Sequence, residues 1–152
     1  KRAIMGTGKT TSRYIKILLD DSGSTPRDIT ASVDSIGGIG LTFDQVDVTT
    51  LIDAIKQYLA GRGDSSITIG GPFNNTATTG AHGVLTGLSG ANIASTLTIQ
   101  IGIRAAPTTG DPEWEGEYTV LSYLINVDIN AVTWTAELKP AFGTSTPAWG
   151  TV

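Results

Sequence analysis

The stretch 118–138, YTVLSYLINVDINAVTWTAEL, constrains the fold of this chain more than any other. Leu121, Tyr123, Ile125, Val127 and Ile129 occupy alternate positions in its first part. After the short Asp/Asn turn the phase flips, and Val132, Trp134, Ala136 and Leu138 alternate with Thr133, Thr135 and Glu137. A period of two with one apolar face is the signature of a half-buried strand, and two such runs around a tight turn predict a long β-hairpin. The same alternation sets Leu97, Ile99, Ile101 and Ile103 against Thr96, Thr98 and Gln100 in STLTIQIGI. YIKILLD, DITASV, LTFDQVDV and SITIGG are further strand candidates. The composition fits: 23 Thr and 19 Gly with 16% charged residues describe a β-rich chain whose surface is polar chiefly through hydroxyls. A length of 152 residues fits one domain with a sizeable core.

One segment carries the other period. TTLIDAIKQYLAG, 49–61, spaces Leu51, Ile52, Ile55, Tyr58 and Leu59 for a helix. Thr50 stands as N-cap with Asp53 three residues on, and Gly61 stands as the stop. The expected architecture is mainly β: a sandwich or barrel with one flanking amphipathic α-helix at about 49–60. The Gly/Thr/Asn-rich stretch 72–94 reads as a long loop whose middle could wind into a short helical turn. Residues 1–12 read as a flexible N-terminal arm and 141–152 as a weakly ordered C-terminal tail of a single domain spanning 1–152.

Few features of the chain support chemistry. AIMGTGKTTS, 3–12, resembles a phosphate-binding loop, but Ala3 stands where its first Gly belongs and a strand rather than a helix follows. With no cysteine, disulfides, thiolate metal sites and Cys nucleophiles are excluded. His82 is the only histidine and sits in a Gly-rich stretch without a nucleophile elbow. The acidic runs around Asp20, Asp21 and Asp28, and at Asp111, Glu113, Glu115 and Glu117, fit no calcium loop; the second alternates like the wet face of a strand. Arg62-Gly63-Asp64 reads as a helix-stop turn, and Asn74-Asn75-Thr76 as a loop. No catalytic residue, cofactor, metal or membrane span is expected. Residues 1–64 are charge-balanced and 65–152 carry the net charge of −4, so no basic patch suited to tight nucleic-acid binding is expected. Trp134 is in phase with a core face; Trp114 and Trp149 are read as lying in Pro-flanked loops suited to subunit contact or ligand stacking.

Four stretches in order add a resemblance. YIKILLDDSGSTPRDIT, QVDVTTLIDAIKQYLAGRGDSSITIGGPF, GAHGVLTGLSG with STLTIQIGI, and GEYTVLSYLINVDINAVTWTAELKP span about 14–140. Together the run resembles the major tail proteins of long-tailed bacteriophages. The resemblance implies a β-barrel or sandwich with a flanking helix and a structural virion protein with no catalytic residues. It also implies self-assembly into usually hexameric rings, stacked as a tail tube with other tail proteins and passing DNA as transient cargo. A single-ring connector or tail terminator, or a carbohydrate-binding β-sandwich using Trp114 or Trp149, are the alternative readings. Loops at 21–28, 35–41 and 72–94 are long enough to bridge neighbours. The candidate inter-subunit contacts are Pro26, Arg27, Ile36, Phe73, Asn75, His82, Leu85, Trp114 and Trp149.

Overall fold

The computed structural model describes residues 8–152. The strands are β1 (Ile15–Asp20), β2 (Pro26–Asp28), β3 (Ser35–Gly37), β4 (Thr42–Asp47), β5 (Tyr58–Asp64) and β6 (Ile67–Pro72). They are followed by helix α1 (Ala81–Leu88), then β7 (Ser95–Ile101), β8 (Pro112–Val127), β9 (Val132–Pro140) and β10 (Ala148–Thr151). Eight strands form one antiparallel sheet in the order β2-β1-β7-β8-β9-β6-β3, with β10 also on β8; β4 and β5 form a separate hairpin. The two ends of the large sheet approach one another, because Ile15 and Ile17 of β1 share a groove with Val33 and Ile36 around β3. The sheet therefore curls around a single core.

That core follows the alternation. Leu97 and Ile99 of β7 are buried, and Ile17 and Leu19 of β1 join them from the next strand. Trp134, Ala136 and Leu138 of β9 and Ile67 and Ile69 of β6 close the other side. The Trp134 indole N–H donates to the carbonyl oxygens of Ser32 and Pro72, both at 3.1 Å, tying β9 to the 3-10 turn Thr30–Ser32. That turn occupies part of the predicted DITASV strand, of which only Asp28 is in β2. Gly71 permits the approach: a Cβ there would lie 2.1 Å from the Ser32 carbonyl oxygen.

The helix is present, but not at 49–60. In the described chain α1 lies inside the stretch 72–94, and its Ala81, Val84, Leu85 and Leu88 are buried at i, i+3, i+4 and i+7. Gly83, Gly87 and a Gly80 N-cap without a side-chain cap weaken its local signal. Residues 49–57 instead form the loop of the β4–β5 hairpin. The Thr50–Asp53 pair does form, with the Thr50 N–H 2.8 Å from Asp53 Oδ2, yet the turn is not continued. The Val48 N–H donates to the Gln57 carbonyl at 3.0 Å and the chain folds back. A short isolated helix is marginal in water, and pairing of residues 58–64 with β4 outcompetes it. Gly61 and the Arg62-Gly63-Asp64 run are thus strand residues, not a helix stop, and Asp64 binds Lys139 at 3.0 Å.

The long hairpin 118–138 forms as expected, with one difference. The register of β8 against β9 shifts between Val120 and Ser122. Tyr118 and Val120 point inward, so alternation turns Leu121 outward into solvent, and the bulge at Leu121 then shifts the phase. Beyond it, Tyr123 and Ile125 oppose buried Ala136 and Trp134, so they regain the inner face, but the core ends and Ile125, Val127 and Ile129 are exposed. The predicted buried row 121–129 is therefore mostly a surface row. The chain end also differs from a loose tail: β10 pairs with β8, Trp149 opposite Trp114.

Candidate assembly surface

The hairpin 42–64 is the most unusual part of the surface. Phe43, Val46, Val48, Tyr58 and Leu59 along its strands are all exposed. At its tip Leu51 is fully exposed, Ile52 is 94% exposed and Ile55 75%. Scattered exposed apolar residues are ordinary, but a contiguous set of this size marks an interaction surface. A two-stranded hairpin is also marginal alone in water, so this one calls for a cover. A second exposed apolar row lies on the distal end of β8–β9: Leu124, Ile125, Val127, Ile129 and Val132. There β8 has β9 on one edge, and β7 has already ended at Tyr118.

At the base of the small hairpin lies a groove of about 460 Å³ lined by Leu41, Phe43, Trp114, Pro147 and Trp149. Trp149, 53% exposed, meets Trp114 edge-on with ring centroids 5.1 Å apart. Trp114 is fixed from beneath: its indole N–H donates to the Tyr118 hydroxyl at 2.9 Å, and that hydroxyl pairs with Ser65 Oγ at 2.7 Å. Beside this groove runs an acidic cleft lined by Glu113, Glu115, Glu117, Thr146, Ala148 and Trp149. The three glutamates occupy alternate positions of β8 on the face away from Trp114 and Tyr118. Glu113 accepts from Gln100 Nε2 at 2.8 Å, and Glu117 accepts from the Thr96 hydroxyl. Partial burial raises the Glu115 carboxyl above its ordinary value, with the negative charges of Glu113 and Glu117 adding to the effect. Asp20, next in the row across β7, is raised by burial and then by Glu117.

The candidate contacts lie in different settings. Leu85 and Trp114 are buried, Leu85 in the helix stripe and Trp114 beneath Trp149, where it forms the floor of the groove. Phe73 and His82 come together: their rings lie 4.9 Å apart, and His82 Nδ1 is 3.0 Å from the Tyr123 hydroxyl. Pro26, Asn75 and Trp149 are exposed, and Ile36 is half-buried in the groove between the sheet ends. Arg27 is held by Asp21 at 2.9 Å; backbone N–H groups, Thr25 first, and Arg27 lower the Asp21 pKa. Leu51, Ile52, Ile55 and Leu59 are not among the expected contacts, because their helical spacing assigns them a buried face; Phe43, in the expected strand LTFDQVDV, is not among them either. Among the described residues no group of His, Asp and Glu is arranged to hold a metal ion, and no helix is long and apolar enough to cross a membrane. At the end of the stretch 3–12, Ser12–Tyr14 form a single 3-10 turn that runs directly into β1, so a strand follows it, as the sequence implies. Residues 1–7 of the expected arm lie outside the described residues.

An antiparallel sheet curled about one core, with a helix closing one side and a projecting hairpin, is a fold also found in solved chains of tail and injection-system particles. Such chains superpose over nearly the whole of this one. A chain from the tail of an empty gene transfer agent particle, a structure with C6 symmetry, matches with a TM-score of 0.68 and 20% identity, covering 92% of this chain and 100% of its own. A chain of the native gene transfer agent virion matches with a TM-score of 0.68 and 17% identity, covering 93% and 99%. A chain from the sheath/tube terminator of an extracellular contractile injection system matches with a TM-score of 0.66 and 11% identity, covering 93% and 96%. No protein-family model and no curated protein matches the sequence.

Proposed function

We propose that this chain is a structural subunit of a phage-like virion tail that assembles with copies of itself into rings, usually of six, stacked as the tail tube. The observation that carries the reading is the hairpin 42–64, a folded element whose apolar residues are exposed among the described residues. Structural likeness over more than nine-tenths of the chain to chains of gene transfer agent particles, one of them from a tail with C6 symmetry, supports the same reading. Subunits join through the exposed apolar rows and the open sheet edges, and other tail proteins meet the tube at its ends. DNA is a transient cargo: carboxylates such as the Glu113–Glu115–Glu117 row, placed on the inner wall, would repel phosphates and keep passage free of friction. The reading assigns no catalytic role.

Electron microscopy of the purified protein tests it. Rings or tubes of uniform bore are the expected result; a strictly monomeric protein across concentration and salt would overturn it. A single-ring terminator is the second reading, favoured by the likeness to a sheath/tube terminator. Isolated rings that never stack would select it. The carbohydrate reading is weakened by the burial of Trp114, which leaves Trp149 as the sole exposed indole among the described residues.

A further inference from the structure

The tip of the small hairpin and the groove at its base are opposite in shape and alike in chemistry. The tip is convex and presents Leu51, Ile52 and Ile55. The groove is concave, and its lining is apolar and aromatic. They cannot meet within one chain. At about 3.3 Å per residue, β4 carries the chain some 13 Å from Phe43 to Asp47, away from the groove, before the tip loop begins. We propose that the tip of one copy seats in the Phe43–Trp149 groove of the next, so that each subunit offers one tip and one groove. The proposal rests on the self-assembly reading and names the seat.

Three observations favour this seat over the other apolar surfaces. The distal end of β8–β9 is itself a projecting hairpin end and offers no concavity to a second one. The groove between the sheet ends mixes its isoleucines with Ser12, Thr30, Asp34 and Ser35, which an apolar tip would strip of water without replacing their hydrogen bonds. The Phe43–Trp149 groove, by contrast, has a floor fixed by the Trp114–Tyr118–Ser65 hydrogen bonds, so little ordering accompanies docking. A contact between two different patches is heterologous and repeats until a ring closes or a stack grows.

The lack of cysteine makes the test direct. Ile52→Cys combined with Thr146→Cys, both at exposed positions, is oxidised mildly after assembly and run on a denaturing gel without reductant. The expected result is a ladder extending beyond the dimer, absent from either single variant. Assembled particles that yield no ladder, or a ladder that appears instead with Ile52→Cys and Ile125→Cys, would overturn the seat while leaving self-assembly standing. A protein that forms no particles in any variant, wild type included, would overturn both. As a second readout, Trp149→Ala with an unchanged circular dichroism spectrum is expected to raise the concentration needed for assembly at least tenfold; no change would count against the groove.

Discussion

Ile52→Ser combined with Ile55→Ser separates what the hairpin tip does for the monomer from what it does for the assembly. In the monomer these side chains are 94% and 75% exposed, so almost no apolar area returns to water on unfolding. Replacement of such residues changes stability by no more than about 0.5 kcal/mol. In an assembly that buries both, each contributes about 1.5–3 kcal/mol, which gives about 3–6 kcal/mol per contact. At 1.4 kcal/mol per factor of ten, that weakens each contact by a factor on the order of 100 or more. Chemical denaturation of dilute protein measures the first quantity, and light scattering or sedimentation against concentration the second. The expected pair of results is an unchanged denaturation midpoint and an assembly threshold raised at least a hundredfold. A loss of more than about 2 kcal/mol in the monomer would mean that the tip packs on its own chain, as a flanking helix would. An unchanged threshold would mean that the tip faces solvent in the assembly too. Either outcome refutes the reasoning.

Other substitutions probe the parts that hold the surface in place. Leu85→Ala removes a fully buried side chain of α1 and is expected to cost about 2–5 kcal/mol, read as a fall of roughly 5–15 °C in Tm by calorimetry. Gly80→Ala places a Cβ 2.6 Å from the backbone N and O of Thr76 and is expected to destabilise by about 1–3 kcal/mol in the same assay. The pKa of Glu115 is raised in the fold, so the folded chain binds that proton more tightly than the unfolded one. Its contribution to stability is therefore present below the ordinary carboxylate range and is lost as pH rises through the raised value. Glu115→Gln is expected to raise Tm near neutral pH, with the gain shrinking toward about pH 4; a gain independent of pH would refute the electrostatic cause.

Much of the architecture was legible because burial and strand period agree wherever a strand has the core on one side. STLTIQIGI is such a strand over Ser95–Ile99, where the alternation in the sequence is that in the fold; Ile101 is only half-buried and Ile103 lies beyond the strand. Reading failed where the two part company. In β8 a bulge breaks the phase at Leu121, and nothing in YTVLSYLINV marks it, because a bulge inserts a residue without requiring a special type. In α1 the stripe Ala81–Val84–Leu85–Leu88 was present, but glycines at 80, 83 and 87 made it resemble a loop; packing under the sheet supplies what propensity lacks.

The hairpin 42–64 is the informative failure. Leu51, Ile52, Ile55, Tyr58 and Leu59 fit a helical stripe, and inference from a stripe assumes that apolar residues face the core of their own chain. That assumption has no force for a subunit whose neighbour completes its burial. The segment shows this in two ways at once. Its local signals are formed, since Asp53 accepts from both the Thr50 N–H and the Thr50 hydroxyl. Its apolar residues are nonetheless in solvent. A chain that had evolved as a monomer would lose nothing by placing polar residues at Leu51 and Ile52, and would lower its tendency to aggregate. Their presence at an exposed tip is therefore a physical argument for a partner surface, and the groove beneath Trp149 is an apolar and aromatic concavity of matching character.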